Sequence, residues 1–383
     1  LRLFLGLCIL FFSFQSQALI ARVLIDEESP SQTLQGEFRI QCLKGRCSKK
    51  TYRLGVGSWQ LKRSPHGLHV FNEKSKKKGL MKGRFFRIQG SFKIENTMIQ
   101  RLDIFLLSKA THWVVHVPVD QYLYGVMSSE VPVSWPLETL KAQAVASRTY
   151  FLYKKKERID QHFDVRASIM DQVFKMNADK HQSILQAVNE THDMILTSKE
   201  QDQVFPAYFH SDCGGQTSSE QAVWRKPSAL NQSVQDPYCQ TASKNNWTFA
   251  IDRDHLMQHL RHIFYIPKGA DLQSVLPRLH EKSRAHVVDF LFSDRIVKRI
   301  SANELRKQLG FGKLRSTHFH VQQGDRDIVF SGRGFGHGVG LCQWGAQRWA
   351  RMGKDFRFIL EHYYPQAQLK TLDRKSLQAH LAF

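Results

Sequence analysis

Between about residue 19 and residue 115 the apolar residues come in short runs broken by turn formers. Phe38-Arg39-Ile40, Leu68-His69-Val70-Phe71, Phe85-Phe86-Arg87-Ile88 and Leu102-Asp103-Ile104-Phe105-Leu106 are such runs. Gly55-Val56-Gly57, Ser64-Pro65, Gly79 and Gly90 separate them. Many short strands with regular turn residues predict a β-rich module over residues 19–112. Trp113-Val114-Val115-His116-Val117 reads as a strand running into Pro118. The period then changes. Leu137, Leu140, Ala144, Phe151 and Leu152 recur at helical spacing, behind Ser134 as N-cap and Pro136 in the first turn. Lys154-Lys155-Lys156 suits the negative end of that helix. Further helices are expected at 179–190, 255–263, 303–309, 344–352 and 356–364, with a hairpin over 286–300. The pattern predicts an α+β chain, with a mixed region at 113–383 that carries an α/β insertion at about 245–325.

Composition adds a location and a class of partner. Leu1 to Ala18 holds a basic residue, an apolar run of roughly a dozen residues and a small-residue end at Ser16-Gln17-Ala18. That is the pattern of a secretory signal, and it falls short of the about 20 apolar residues of a membrane helix. The expectation is an exported chain, periplasmic or cell-wall associated, with no stable membrane span once the signal is cleaved. The formal net charge is +21. Such a field draws a protein to polyanions, and export makes that partner the anionic envelope rather than nucleic acid.

Beyond the signal lie Cys42, Cys47, Cys213, Cys239 and Cys342. Cysteines tend to pair in an oxidising compartment, and an odd count leaves one over. Cys42 and Cys47 flank a short polar turn and form the first expected disulfide. Cys213 with Cys239 is the second expectation, leaving Cys342 free. A structural zinc on His210, Cys213 and Cys239 is the less simple alternative. No CxxC pair and no HExxH occurs, so a catalytic metal has no support and no cofactor is expected to be required.

Three segments carry candidate chemistry. In Tyr122-Leu123-Tyr124-Gly125-Val126-Met127-Ser128-Ser129-Glu130-Val131-Pro132, Glu130 is a lone carboxylate among apolar residues. Lost solvation raises the pKa of such a group, as a general acid requires. Arg148 falls in the apolar stripe of the following helix, so it must meet a carboxylate or a ligand, or reach water. Glu130 is one candidate partner, but that pairing would pull its pKa down. The second segment runs Tyr208-Phe209-His210-Ser211-Asp212-Cys213-Gly214-Gly215-Gln216-Thr217. Its Gly pair permits close backbone approach, and its Ser, Gln and Thr suit sugar hydroxyls. A hydrolase triad is a weak reading there, because no GxSxG elbow accompanies it. The third is Ser331-Gly332-Arg333-Gly334-Phe335-Gly336-His337-Gly338-Val339-Gly340-Leu341-Cys342-Gln343-Trp344-Gly345-Ala346. It fits no nucleotide-loop template. It predicts a flexible loop presenting His337, Gln343 and Trp344 to a sugar.

With these motifs the sequence resembles the stage II sporulation protein D family, SpoIID/LytB. The resemblance rests on Glu130-Val131-Pro132, on Pro136 to Tyr150 (PLETLKAQAVASRTY), on His210 to Thr217, and on Gly336 to Gly340 leading into Gln343-Trp344-Gly345-Ala346. It spans about residues 115–370. It implies non-hydrolytic cleavage of peptidoglycan glycan strands, preferably denuded ones, to anhydromuramyl ends. Glu130 is then the general acid/base. Arg148, Tyr150, His210, Ser211, Gly214, Gly215, Thr217, His337, Gln343 and Trp344 are the expected substrate contacts. The LytB branch implies an alternative, a wall-binding protein that stimulates a cell-wall amidase. Asp193 stands where the family usually has Gly, which puts the local turn in question.

Overall fold

A computed structural model describes residues 19–373, apart from 28, 48, 49, 73, 77, 179, 180, 227, 228, 240–245 and 281–283. The expected signal at 1–18 lies outside the described residues. The fold is α+β. A nine-stranded sheet comprises β1 (Ile20–Asp26), β2 (Ser31–Lys44), β3 (Thr51–Ser64), β4 (Gly67–Asn72), β5 (Lys78–Met81), β6 (Phe85–Ile94), β7 (Thr97–Leu106), β8 (Thr111–Pro118) and β9 (Val165–Arg166). Its order is β5-β4-β3-β2-β6-β7-β8-β1-β9. Alternation sets the buried face: Leu34, Phe38, Ile40 and Cys42 of β2 all point inward. Cys42 and Cys47 are joined by a disulfide, with a Cα–Cα separation of 5.7 Å.

The sheet does not stop where the β-rich pattern does. The expected boundary at 112/113 falls inside β8, and β9 pairs in parallel with β1 through Val23 and Val165. Asp164, just before β9, accepts from the Arg22 backbone and guanidinium, with the shorter side-chain contact at 2.6 Å. Three helices then cover the sheet: α1 (Val119–Glu130), α2 (Leu137–Glu157) and α3 (Gln182–Glu190). One apolar core runs from the strands into these helices, joining Phe86, Ile88 and Trp113 to Tyr122, Leu140, Phe151 and Ile184.

Helix α2 starts later than Ser134 suggested. Its N-cap is Pro136, without a side-chain cap, because the proline ring disfavours helical geometry at Trp135. The cationic last turn is present as Lys154, Lys155 and Lys156. This helix is buried along most of its length, from Thr139 to Leu152. Around it stand β10 (Met194–Ser198), β11 (Phe209–His210) and the short α4 (Glu220–Trp224).

The insertion has a core of its own, built on Leu256, Phe290, Phe292, Leu305 and Phe330. It contains β12 (Asn246–Asp252), α5 (Arg253–Ile263), β13 (Leu272–His280), β14 (Arg284–Phe292), β15 (Val297–Ser301), α6 (Ala302–Leu309), β16 (Phe319–Gln323) and β17 (Asp327–Arg333). The chain then returns through β18 (Leu341–Cys342), α7 (Gln343–Arg351), α8 (Phe356–Tyr363) and β19 (Ala367–Thr371). Strand β18 pairs with β11 and β19 with β10. The second and third motifs are thereby made neighbours. No described helix is long and apolar enough to cross a membrane.

Candidate active site

Glu130 is the last residue of α1. The helix forms because Tyr122, Leu123, Val126 and Met127 present one buried face. It ends because Val131, preceding Pro132, adopts extended geometry at φ −135° and ψ 145°. Glu130 is left half-buried at the helix C-terminus. Burial raises its pKa above the ordinary carboxyl value, and a hydrogen bond from the Val173 backbone N–H to Oε1 at 3.0 Å offsets part of that rise.

The segment that supplies Val173 is pinned against α1. Tyr122 Oη donates to Gln172 Oε1 at 2.8 Å, deep in the core. Lys175 N–H reaches Gly125 O at 3.4 Å. Gly125 permits this approach, since a Cβ there would lie 2.5 Å from Lys175 O and from the Phe174 ring.

Glu130 opens into a cleft of about 610 Å³. Tyr150 of α2 and the Ile169–Val173 segment form one side with it. Tyr208, Phe209, His210, Ser211 and Trp224 form the floor, with Phe335, Gly336, His337 and Gln343 beside them. The insertion supplies the facing wall through Asn303, Arg306, Lys307 and Phe311. Asp171 also lines the cleft, but both of its oxygens are held by Arg158, at 2.6 and 2.9 Å. Glu130 has no ion pair among the described residues. Of the two carboxyls that line the cleft, it is the one without an ion pair there.

The two histidines are neutral. His210 is buried, and its Nδ1 donates to Val339 O at 3.1 Å. Burial, with the nearby Arg284 cation, lowers its pKa to about 3. Its Nε2 is buried without a hydrogen-bond partner, an acceptor directed to no protein group. His337 accepts from the Val339 N–H at Nδ1, at 3.1 Å, and burial holds its pKa well below the usual range. Gln343 Nε2 donates to Gln143 Oε1 at 3.4 Å, tying the cleft wall to α2. The glycine-rich stretch is held by pairing and by left-handed glycines: Phe335 bridges to Asp212, and Gly336 and Gly338 take φ of 115° and 86°.

The structure thus brings Glu130, Tyr150, His210, Ser211, His337 and Gln343 to one cleft. It does not bring the others there. Arg148 is buried away from Glu130, and its Nη1 donates to Thr191 O at 2.8 Å and Met194 O at 3.1 Å. Its carboxylate neighbour is Asp120, at 3.7 Å. This guanidinium clamps the turn between α3 and β10, where Asp193 adopts the left-handed φ of 58°. Gly214, Gly215 and Thr217 shape the loop under the floor: Gly214 N–H donates to Asp212 Oδ1 at 2.6 Å, and Thr217 Oγ1 accepts from Val234 N–H at 2.8 Å. Trp344 packs edge-on against Trp135, ring centroids 5.1 Å apart.

The Cys213–Cys239 disulfide is not formed. Cys213, Cys239 and Cys342 are all free and buried, and Cys239 Sγ lies 3.5 Å from Cys342 Sγ, beyond bonding distance. His210 is turned toward Val339 and does not join them. Sequence patterns missed Arg306, Lys307 and Phe311 of the cleft, and Arg284, whose buried guanidinium donates to Cys213 O and Gln216 O. The signal was slight: Arg284 opens an apolar strand run, and Arg306 lies beside Leu305 on the buried face of a short helix.

The family model described as Stage II sporulation protein matches residues 108–198. The chain is 31% identical over 258 residues to an uncharacterized protein of Brachyspira hyodysenteriae, covering 67% of each chain. It is 28% identical to Stage II sporulation protein D of Bacillus amyloliquefaciens, over 69% of this chain and 77% of that one. It is 25% identical to the Amidase enhancer of Bacillus subtilis, over 65% of this chain and 40% of the other.

Proposed function

Since this chain belongs to the SpoIID/LytB family, we propose that it acts on the cell wall as a lytic transglycosylase, cutting peptidoglycan glycan strands with Glu130 as general acid and base. One observation carries this reading: a single unpaired, half-buried carboxyl with raised pKa faces a cleft deep enough for a saccharide. Hydrolytic glycosidases need two working carboxyls, and Arg158 holds Asp171 as an ion pair. Intramolecular attack needs one.

In the proposed reaction Glu130 gives its proton to the glycosidic oxygen as the bond from that oxygen to the muramyl anomeric carbon breaks. Glu130, now a carboxylate, takes the proton of the same muramyl residue's 6-hydroxyl as its oxygen bonds to the anomeric carbon. The product is a 1,6-anhydromuramyl end, Glu130 is protonated again, and no water is consumed. Tyr208 and Trp224, with ring centroids 4.6 Å apart, offer faces for sugar rings, and His210 Nε2 offers an acceptor for a sugar hydroxyl. No cofactor enters this scheme.

The similarity to the Amidase enhancer favours a second reading, a wall-binding protein that stimulates a cell-wall amidase. Purified protein on denuded glycan strands separates the two. Soluble anhydromuramyl fragments from the parent and none from Glu130→Gln support the transglycosylase. Binding without fragments, equal in both proteins, supports the modifier. The expected home of either activity is outside the cytoplasm, in the periplasm or at the wall.

A further inference from the structure

Behind the cleft floor, away from Glu130, three thiols and a carboxylate converge in a place that the proposed reaction does not use. We propose that Cys213, Asp236, Cys239 and Cys342 form a closed four-coordinate site for a structural divalent metal of the zinc type. Their ligand atoms all lie within 4.8 Å of one another, and all four residues are buried. Cys239 Sγ is 3.5 Å from Cys342 Sγ, and Cys213 Sγ is 3.4 Å from Asp236 Oδ2. A tetrahedral ion with metal–sulfur bonds of about 2.3 Å sets its sulfurs roughly 3.8 Å apart, which is close to this spacing. Small shifts of side chains suffice to close it.

Backbone donors are aimed at two of the sulfurs. Cys342 Sγ accepts from the Cys213 N–H at 3.2 Å and the Gly345 N–H at 3.3 Å. Cys213 Sγ accepts from the Gly215 N–H at 3.3 Å. Backbone donors aimed at sulfur support the charged, metal-binding form. Asp236 Oδ2 accepts from Tyr363 Oη at 2.7 Å, while Oδ1 is buried without a partner. A bare buried carboxyl oxygen is costly, and coordination would satisfy it. Gly345 is required beside them, because a Cβ there would strike the Asp236 carboxylate and Tyr363 Oη.

A disulfide between Cys239 and Cys342 is the competing use of these atoms. It would leave Cys213 and Asp236 Oδ1 unexplained, whereas a metal uses all four groups. Soft sulfur ligands with one carboxylate select zinc over magnesium or calcium, and four buried protein ligands leave no open position, which makes the site structural rather than catalytic. Binding displaces the thiol protons to solvent. The ion would join three segments distant in sequence. Two of them carry cleft residues: Cys213 follows His210 and Ser211, and Cys342 precedes Gln343.

The test is metal analysis of the full chain, together with alkylation of its thiols and intact-mass measurement without reductant. About one zinc per chain is expected, with Cys213, Cys239 and Cys342 protected from alkylation until a chelator is added. Cobalt substitution should give the near-ultraviolet thiolate charge-transfer band of a tetrahedral site. Tyr363→Phe, which keeps the ligands, should weaken zinc affinity by about tenfold in competition with a chromophoric chelator. Metal below about a tenth of an equivalent after incubation with zinc would overturn the site. So would a mass showing Cys239 and Cys342 joined in a disulfide. Neither outcome bears on whether Glu130 cuts glycan.

Discussion

The backbone N–H of Val173 lies 3.0 Å from Glu130 Oε1, and the two meet because Gly125, five residues before Glu130 on the same helix, has no Cβ. The bond fixes one carboxyl oxygen without supplying a full positive charge. It thereby orients the acid and leaves its pKa raised.

Gly125→Ala tests that arrangement. The added methyl would push Phe174 and Lys175 off α1, at a cost of about 1–3 kcal/mol as overpacking. Urea unfolding should show the loss, and turnover per folded molecule should fall as Val173 withdraws from Glu130. Parental stability and turnover together would contradict the role given to this contact.

Arg148 is assigned to the fold rather than to the sugar. Arg148→Met leaves the Thr191 and Met194 carbonyls without their donor, so stability should drop by about 2–4 kcal/mol. KM of the remaining folded enzyme should change little. A raised KM at parental melting temperature would return Arg148 to the substrate.

Glu130 also makes a signed prediction for pH. Its folded pKa lies above the ordinary 4.5, so folding favours the protonated form. That contribution is full below the unfolded value and is lost as pH rises through the folded one. Glu130→Gln, always neutral, should therefore melt above the parent at neutral pH and match it well below pH 4.5. Catalytic rate should fall over the same rise, as the acid form disappears. Parallel melting curves across this range would remove the raised pKa from the account.

Much of this was legible in the residues, for reasons that stay local. The alternation in β2 and the helical spacing of Leu140, Ala144 and Phe151 survive in the fold because a buried face decides each element. Asp193, standing where the family usually has Gly, put the local turn in question, and it takes the left-handed φ of 58° that glycine adopts freely. Helix α1 went unread, although Tyr122, Leu123, Val126 and Met127 share one face, because the glycine and serines between them mask the period. The partner of Arg148 could not be read, since backbone carbonyls leave no mark in sequence. Neither could the fate of Cys213: a cysteine pattern gives the candidates for pairing, and only the pairing of β11 with β18 brings Cys342 among them. The cleft wall from α6 depends on how the insertion folds back.

The net charge of +21 predicts salt-sensitive attachment to anionic wall material. Retention on isolated walls should fall steadily as sodium chloride rises toward 1 M, where screening acts over about 3 Å. Retention that is indifferent to salt would assign wall binding to uncharged contacts in the cleft.

The claim at the centre is that Glu130 drives cleavage without water. Digesting denuded glycan strands in heavy-oxygen water and weighing the fragments tests it directly. Anhydromuramyl ends free of heavy oxygen, formed by the parent and absent with Glu130→Gln, are the predicted result. Reducing ends carrying heavy oxygen would make the protein a hydrolase, and cleavage undiminished in Glu130→Gln would remove Glu130 from the chemistry.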